Sequence, residues 1–170
     1  MQRPVKTGTI FCFTILIILL CRPLPSKGAE GLFIETGPGF ARSLDTGVLL
    51  VRYVKDVSPL WGYESFYEGI YARWSGGHHA EDFSIARGVR WRVSENAYYS
   101  AEIGGGHISR VTGNLGTPFD FYFRIAYGRK IGCYDISLGI IHISNGKPLF
   151  QWPGPDNGEN FITIAVGELF

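Results

Sequence analysis

A histidine and a serine two residues apart, His142 and Ser144, are the side chains of this sequence best suited to do chemistry. They lie near the end of an alternating segment, Tyr134–Asn145. Successive side chains of a β-strand point to opposite faces, so both residues share one face, about 7 Å apart. An imidazole beside a hydroxyl can act as the base and the nucleophile of an ester hydrolase, because the ring accepts the hydroxyl proton. The same spacing at His107 and Ser109 is interpreted as a strand-end pair without function.

The elements that must position this pair are strands. Segments of ten to thirteen residues in which apolar and polar residues alternate recur eight times, and turn-rich stretches separate them. We predict strands at approximately Leu32–Arg42, Gly47–Asp56, Tyr63–Trp74, Asp82–Val93, Ala97–Ser109, Phe119–Arg129, Tyr134–Asn145 and Glu159–Phe170. The fold class is therefore all-β.

The polar face of these strands distinguishes a membrane barrel from a soluble one. The sixth strand carries phenylalanines such as Phe121 on one face and Asp120 and Arg124 on the other. Arginine inside a small soluble barrel is costly, whereas an outer-membrane barrel has its apolar face outward and its polar face in the lumen. There the arginines of the fourth and sixth strands can pair with Glu64, Glu102 or Asp120. This pattern predicts an eight-stranded antiparallel transmembrane β-barrel, with a secreted soluble sandwich or a lipocalin-like barrel as the alternative.

The amino-terminal segment is typical of a secretory signal. Met1–Lys6 is basic, Thr9–Leu20 is apolar, and the next residues, up to Gly28, include two prolines and small residues. The apolar run is shorter than the roughly 20 residues that a membrane-spanning helix needs. We predict a cleaved signal peptide over residues 1–28 and a barrel over residues 29–170. Lipoprotein processing at Cys21 is a weaker alternative, because Leu20 is not a small residue.

Composition excludes several function classes. Hydrophobic residues make up 45% of the chain and charged residues 18%, which argues against disorder. The part after Gly28 is slightly acidic, so we expect no nucleic-acid partner. We expect no metal and no cofactor, and His78, His79, Glu81 and Asp82 are interpreted as a solvated loop. Once the signal is removed, Cys133 is the remaining cysteine and has no internal disulfide partner.

A resemblance to a known family rests on the end of the chain. His142-Ile-Ser144-Asn145, followed by a loop containing Gly, Asn and Pro and by a final strand ending in Phe170, resembles the outer-membrane lipid A 3-O-deacylase (PagL) family. The resemblance implies an eight-stranded barrel in the bacterial outer membrane, with a catalytic triad on its lipid-facing surface. It implies an ester hydrolase that removes the 3-O-linked acyl chain of lipid A from lipopolysaccharide; a homodimer is left open. By the same resemblance, His142 is the general base, Ser144 is the nucleophile, and Asn145 supports activity through the oxyanion.

The third member of the triad has two candidates. In the family pattern, the glutamate follows a glycine by two residues. Counting from Gly158, that position is Asn160, whereas Glu159 is one step out of register. Strand alternation places Asn160 on the lipid-facing side with Ile162, and Glu159 toward the lumen. Either a β-bulge turns Glu159 outward, or Asn160 orients His142 as an asparagine does in papain-like sites. Geometry favours Asn160, while a carboxylate would better stabilise the imidazolium.

The predicted orientation suits a glycolipid substrate. If the seventh strand runs outward, the loop 146–158 is extracellular and the His142–Ser144 pair lies just below the lipid headgroups. Lys147 would then contact lipid A phosphates or act as an interfacial anchor. The alternative function is that of a noncatalytic eight-stranded barrel with a structural or adhesion role.

Overall fold

The protein is a closed barrel of eight antiparallel strands, as the sequence predicts. The computed structural model describes residues 30–77, 79–147, 151, 154, 155 and 157–170, so the predicted signal segment lies outside the described residues. The strands are Glu30–Pro38 (β1), Thr46–Leu60 (β2), Tyr63–Gly76 (β3), Glu81–Ser94 (β4), Ala97–Ile108 (β5), Phe119–Ile131 (β6), Tyr134–Ser144 (β7) and Glu159–Leu169 (β8). A short 3-10 helix, Ala41–Ser43, follows β1. Among the described residues, no helix is long and apolar enough to cross a membrane.

The barrel closes through pairing of the first strand with the last. Each strand pairs with its neighbour in the chain, and β1 pairs with β8 from Gly31 opposite Leu169 to Thr36 opposite Ile164. In hydrocarbon there is no water to bind unpaired backbone groups, so a spanning sheet must satisfy them internally. Closure achieves this wherever neighbouring strands are paired.

The two faces of the wall are inverted relative to a soluble barrel. On β6, Phe123 and Ile125 are each 44% exposed on the outside, while Arg124 between them is only 2% exposed. The same alternation runs through β7, where Leu138 is outside and Ser137 is buried. Apolar side chains therefore face outward and polar ones face the lumen, as predicted.

Arg87 departs from this alternation and was not singled out by the sequence. It lies on the outer side of β4 between Ile85 and Val89. Its guanidinium lies 5.2 Å from the centroid of the Tyr67 ring on β3. This cation–π contact reduces the cost of a charge on the lipid-facing side.

An ion-pair network fills the middle of the lumen. Arg52 binds Glu35 and Glu68, each at 2.7 Å, and reaches Glu102 at 3.3 Å. Arg124 binds Glu35 at 3.0 Å and Glu102 at 2.8 Å. All five side chains are buried, and they belong to five different strands. The network therefore links most of the barrel wall through its interior.

The predicted pairing of lumen charges is confirmed for Arg124 with Glu102 and wrong for Asp120. Glu64 pairs with Arg92 at 2.5 Å, at the exposed rim of the barrel. Asp120 lies beside Asp82 and forms none of the ion pairs found among the described residues. It is four residues from Arg124 along β6, about 13 Å, which is beyond the reach of the guanidinium.

Two strand boundaries differ from the prediction by more than two residues. The first strand was expected to continue to Arg42 but ends at Pro38, because the chain turns into the 3-10 helix, where Ala41 has a φ of 55°. The second strand continues through Pro59 to Leu60, with a register shift after Val57 that accommodates the proline. The connection to β3 is thus only Trp61-Gly62, whose φ values of 52° and 84° suit a two-residue hairpin turn.

The two ends of the barrel are unequal. Tight turns at 61–62, 95–96 and 132–133 lie at the end that carries the start of β1 and the end of β8. The connections at the other end, at 39–45, 77–80, 109–118 and 145–158, are longer. Outer-membrane barrels have short periplasmic turns and longer extracellular loops. We therefore assign the loop end to the outside of the cell.

We predict that the Arg124→Ala variant is strongly destabilised. The substitution leaves Glu35 and Glu102 with one buried partner fewer, and breaking a buried ion pair typically costs about 3–5 kcal/mol. The free energy of unfolding, measured by urea titration of tryptophan fluorescence in lipid vesicles, should fall by that amount. Ile125→Leu, on the outer side of the same strand, is the control and should change little. An Arg124→Ala barrel as stable as wild type would contradict the structural role of the network.

Candidate functional site

The predicted base and nucleophile lie on the outer surface of the barrel near its loop end. His142 and Ser144 are both half-buried on the outer side of β7, whereas Ile141 and Ile143 face the interior and are buried. Ser144 is the last residue of the strand. The pair is therefore on the outer, lipid-facing side of the wall, at the end of β7 that leads into the loop 145–158.

Asn160 is the third polar residue of this surface. It lies opposite His142 in the pairing of β7 with β8, and its Oδ1 is 2.9 Å from Nδ1 of His142. An amide oxygen can only accept, so this contact is made when Nδ1 carries the proton. The other ring nitrogen, Nε2, then has a lone pair free to accept a proton from a hydroxyl. This is the tautomer that a general base requires.

Glu159 is directed to the opposite side of the wall. It is fully buried, and its Oε2 accepts a hydrogen bond of 2.5 Å from the hydroxyl of Ser43. The pairing of β7 with β8 runs without a register shift from Tyr134 opposite Glu168 to Ile143 opposite Glu159. The bulge that would turn Glu159 outward is therefore absent from these paired residues.

Gly158 holds the start of β8 against the imidazole. Its φ is 69°, a conformation that favours glycine, and a Cβ at this position would lie 2.6 Å from Cε1 of His142. Any larger side chain would therefore displace the histidine ring. Gly158 limits the rotation of the base in addition to the hydrogen bond that His142 donates to Asn160.

Asn145 and Lys147 brace the loop that follows Ser144. The Asn145 side chain accepts from the backbone N–H of Lys147 at 3.1 Å and donates to the carbonyl of Pro155 at 3.0 Å. The Lys147 ammonium donates to the carbonyl of Gly154 at 2.5 Å. Both side chains thus connect the two ends of the loop 145–158, and Lys147 remains exposed.

The surface around the polar residues is apolar. On the neighbouring strand β6, Phe121 lies opposite Ser144 and Phe123 lies opposite His142. Ile140 and Ile162 lie below the pair on β7 and β8, and each is about 45% exposed. A hydroxyl and an imidazole set in such a surface are suited to a substrate that reaches them from the lipid phase.

The interior offers little space for a competing site. A cavity lined by residues that include Arg52, Phe66 and Glu102 has a volume of about 10 Å³, the space of one water molecule. Within the described residues, no three His, Cys, Asp or Glu side chains are grouped to hold a metal ion. His78, considered with its neighbours in the sequence, lies outside those residues.

The sequence predicted three of these residues on one surface and gave no prediction for two others. His142, Ser144 and Asn160 share the outer surface as strand alternation predicts. No structural role was predicted for Gly158, although the Asn157-Gly158 pair before a strand indicates a turn with a positive φ. Ser43 gave no signal, because it lies 117 residues from Asn160 in the chain.

Similarity to known proteins agrees with this geometry. The sequence pattern of the family described as Lipid A 3-O-deacylase (PagL) matches residues 48–167. No curated protein sequence matches the chain. The crystal structure of the outer membrane enzyme PagL is 18% identical, with a TM-score of 0.65, covering 82% of this chain and 99% of that one.

Two further barrels show the same fold at lower identity. A de novo designed transmembrane β-barrel is 13% identical, with a TM-score of 0.59, covering 88% of this chain and 98% of its own. The Yersinia pestis outer membrane protein Ail is 11% identical, with a TM-score of 0.54, covering 85% and 100%. The family match extends over most of the barrel and includes β7 and most of β8, so the chain belongs to the PagL family and is a β-barrel of the outer membrane.

Proposed function

We propose that this barrel hydrolyses the 3-O-linked acyl ester of lipid A, with Ser144 as nucleophile, His142 as general base and Asn160 as the residue that orients His142. The observation that carries the proposal is the 2.9 Å contact between Nδ1 of His142 and Oδ1 of Asn160 on the lipid-facing surface. Membership of the PagL family supports the lipid A substrate.

We propose a reaction in which each of these groups has one role. The Ser144 hydroxyl attacks the acyl carbonyl while Nε2 of His142 takes its proton, giving a tetrahedral intermediate. Collapse breaks the ester bond, and the imidazolium returns the proton to the departing sugar hydroxyl. Water, activated by the same imidazole, then releases the fatty acid from Ser144. Asn160 keeps the proton on Nδ1 throughout, so Nε2 is always the nitrogen that faces the reaction.

The surroundings fit the two parts of such a substrate. The acyl chain would lie along the apolar outer surface formed by side chains such as Phe121, Phe123 and Ile140. The phosphorylated sugars would lie at the loop end, near Lys147. An ammonium has three donors, so Lys147 can keep its bond to Gly154 and still contact a phosphate.

Asn145 supports the reaction through the loop backbone. Its amide is occupied by Lys147 N–H and by the Pro155 carbonyl. We propose that these two bonds hold the backbone after Ser144 in place, so that main-chain N–H groups there can stabilise the oxyanion. Asn145 then acts indirectly, through the backbone, instead of donating a side-chain N–H to the oxyanion.

One observation favours the alternative of a noncatalytic barrel. Asn160 stands where the family pattern has glutamate, and a neutral amide does not offset the charge of an imidazolium. The experiment that decides between the two functions is the incubation of the refolded protein with lipopolysaccharide, followed by mass spectrometry of the lipid A.

We predict that wild type removes one hydroxyacyl chain and that Ser144→Ala removes none. Both barrels should show the same heat-resistant folded band on electrophoresis, since an outward hydroxyl contributes little to strand pairing. Ser109→Ala is the matched control, because His107 and Ser109 have the same spacing in the sequence as His142 and Ser144. The Ser109→Ala variant should be fully active. An unchanged lipid A mass with folded wild type would support the noncatalytic barrel, and an active Ser144→Ala would exclude the serine mechanism.

We predict that Asn160→Ala lowers kcat by about 10²-fold or more with little change in KM. Without the amide oxygen the imidazole loses its fixed tautomer, while the apolar surface that binds the acyl chain is unchanged. Ile162→Ala, the next outward residue on β8, serves as control and should affect KM rather than kcat. Asn160→Glu, which restores the family's residue, should remain active. A fully active Asn160→Ala would show that His142 needs no orienting partner.

We predict that Gly158→Ala lowers kcat at least tenfold. The added methyl group would meet the ring of His142 at 2.6 Å and displace it. Gly132→Ala is a matched control, because Gly132 has a φ of 64° and nothing lies within 4 Å of its added Cβ. The measurement is the initial rate of fatty-acid release, and the Gly132→Ala variant shows how much of any loss comes from backbone strain alone. Equal rates for Gly158→Ala and Gly132→Ala would contradict the positioning role of Gly158.

A further inference from the structure

The first outer loop, residues 39–45, is tied to the start of β8 by one buried hydroxyl. Ser43 is completely buried, and its Oγ donates to Oε2 of Glu159 at 2.5 Å. The same oxygen accepts from the backbone N–H of Asn160 at 3.1 Å. The hydroxyl is therefore held between the interior carboxylate and the backbone of the residue that contacts His142.

The Asn160 backbone depends on this loop because β1 ends too early to pair with it. The pairing of β1 with β8 stops at Thr36 opposite Ile164. The carbonyl of Asn160 accepts from the N–H of Phe40 at 2.9 Å, while its N–H donates to Ser43. Since both backbone groups point toward the loop, Asn160 and His142 form a non-hydrogen-bonded pair, in which opposite side chains come closest.

The loop itself is folded tightly to bring Ser43 to this point. Ala41 has a φ of 55°, and a Cβ on Gly39 would lie 1.9 Å from the carbonyl oxygen of Ser43. The N–H of Ser43 donates to the carbonyl of Phe40 at 3.1 Å. Arg42 donates to the side chain of Asn157, just before Gly158, and so links the same loop to the other side of the site.

We propose that Ser43 and Glu159 are positioning residues, whose mutual hydrogen bond fixes the backbone of Asn160 and thereby directs its amide oxygen at Nδ1 of His142. The inference rests on the proposed function and adds a role to it. Glu159, the acid next to the expected triad position, acts from the interior as an anchor for Ser43. It contributes as a hydrogen-bond acceptor for Ser43, and this effect reaches His142 through Ser43 and Asn160.

The test compares kcat and KM for Ser43→Ala, Glu159→Ala and Glu159→Gln in folded barrels with lipopolysaccharide as substrate. Ser43→Ala and Glu159→Ala should each lower kcat about tenfold or more with KM unchanged, and the double variant should be no worse than the poorer single variant. Glu159→Gln should stay within about threefold of wild type, because a glutamine oxygen still accepts from Ser43. Ser84→Ala is the matched control, since Ser84 donates to Asp82 in the interior at about 3 Å, away from β8.

Three outcomes would overturn the inference. Wild-type kcat in Ser43→Ala, alongside an inactive Ser144→Ala, would remove the role of Ser43 and leave the proposed function intact. An equal loss of kcat in Glu159→Gln and Glu159→Ala would show that Glu159 acts through its negative charge and not as a hydrogen-bond acceptor for Ser43. If the wild type is inactive, the proposed function fails, and NMR of ¹⁵N-histidine-labelled barrels still decides the inference. The hydrogen-bonded Nδ1–H signal of His142 should be lost in Ser43→Ala and retained in Ser84→Ala. Retention of this signal in both variants overturns the proposal.

Discussion

The constraint on which this structure depends is that backbone groups in hydrocarbon must be paired within the protein. A closed antiparallel ladder meets it, and the two-residue alternation of a strand then assigns every side chain to the lipid or to the lumen. His142, Ser144 and Asn160 share the outer side for this reason, while Glu159 cannot join them. The same alternation sends Arg52 inward, where the buried carboxylates that surround it compensate its charge.

The candidate site is built on rigid strands but depends on loops for its precision. Strand pairing sets His142 opposite Asn160, yet the backbone of Asn160 is held by the first outer loop. The ring of His142 lies against Gly158, and the loop after Ser144 is braced by Asn145. Catalytic groups need to be held within a fraction of an ångström, and residues outside the reacting set supply that support. The loops therefore support the candidate site from outside the group formed by His142, Ser144 and Asn160.

Alternation in the sequence was sufficient to predict the strands, their faces and the outward position of the site. It works because a barrel wall imposes a period of two on every strand, as on β6, where Arg124 is buried between exposed Phe123 and Ile125. It could not place Ser43 beside Glu159, because contacts between a loop and a distant strand follow no period. It was also wrong about Asp120, since facing the lumen does not specify the depth at which two charges meet.

An asparagine at position 160, the orienting residue of the proposed site, has a physical explanation in its surroundings. A carboxylate on the lipid-facing side of a barrel is costly to desolvate, whereas an amide keeps the acceptor that fixes Nδ1–H at a lower cost. What an amide lacks is the negative charge that stabilises the imidazolium. In this chain the adjacent residue, Glu159, carries a carboxylate in the interior, where Ser43 binds it. The carboxylate therefore lies on the lumen side of the wall, and Ser43 connects it to the backbone of Asn160.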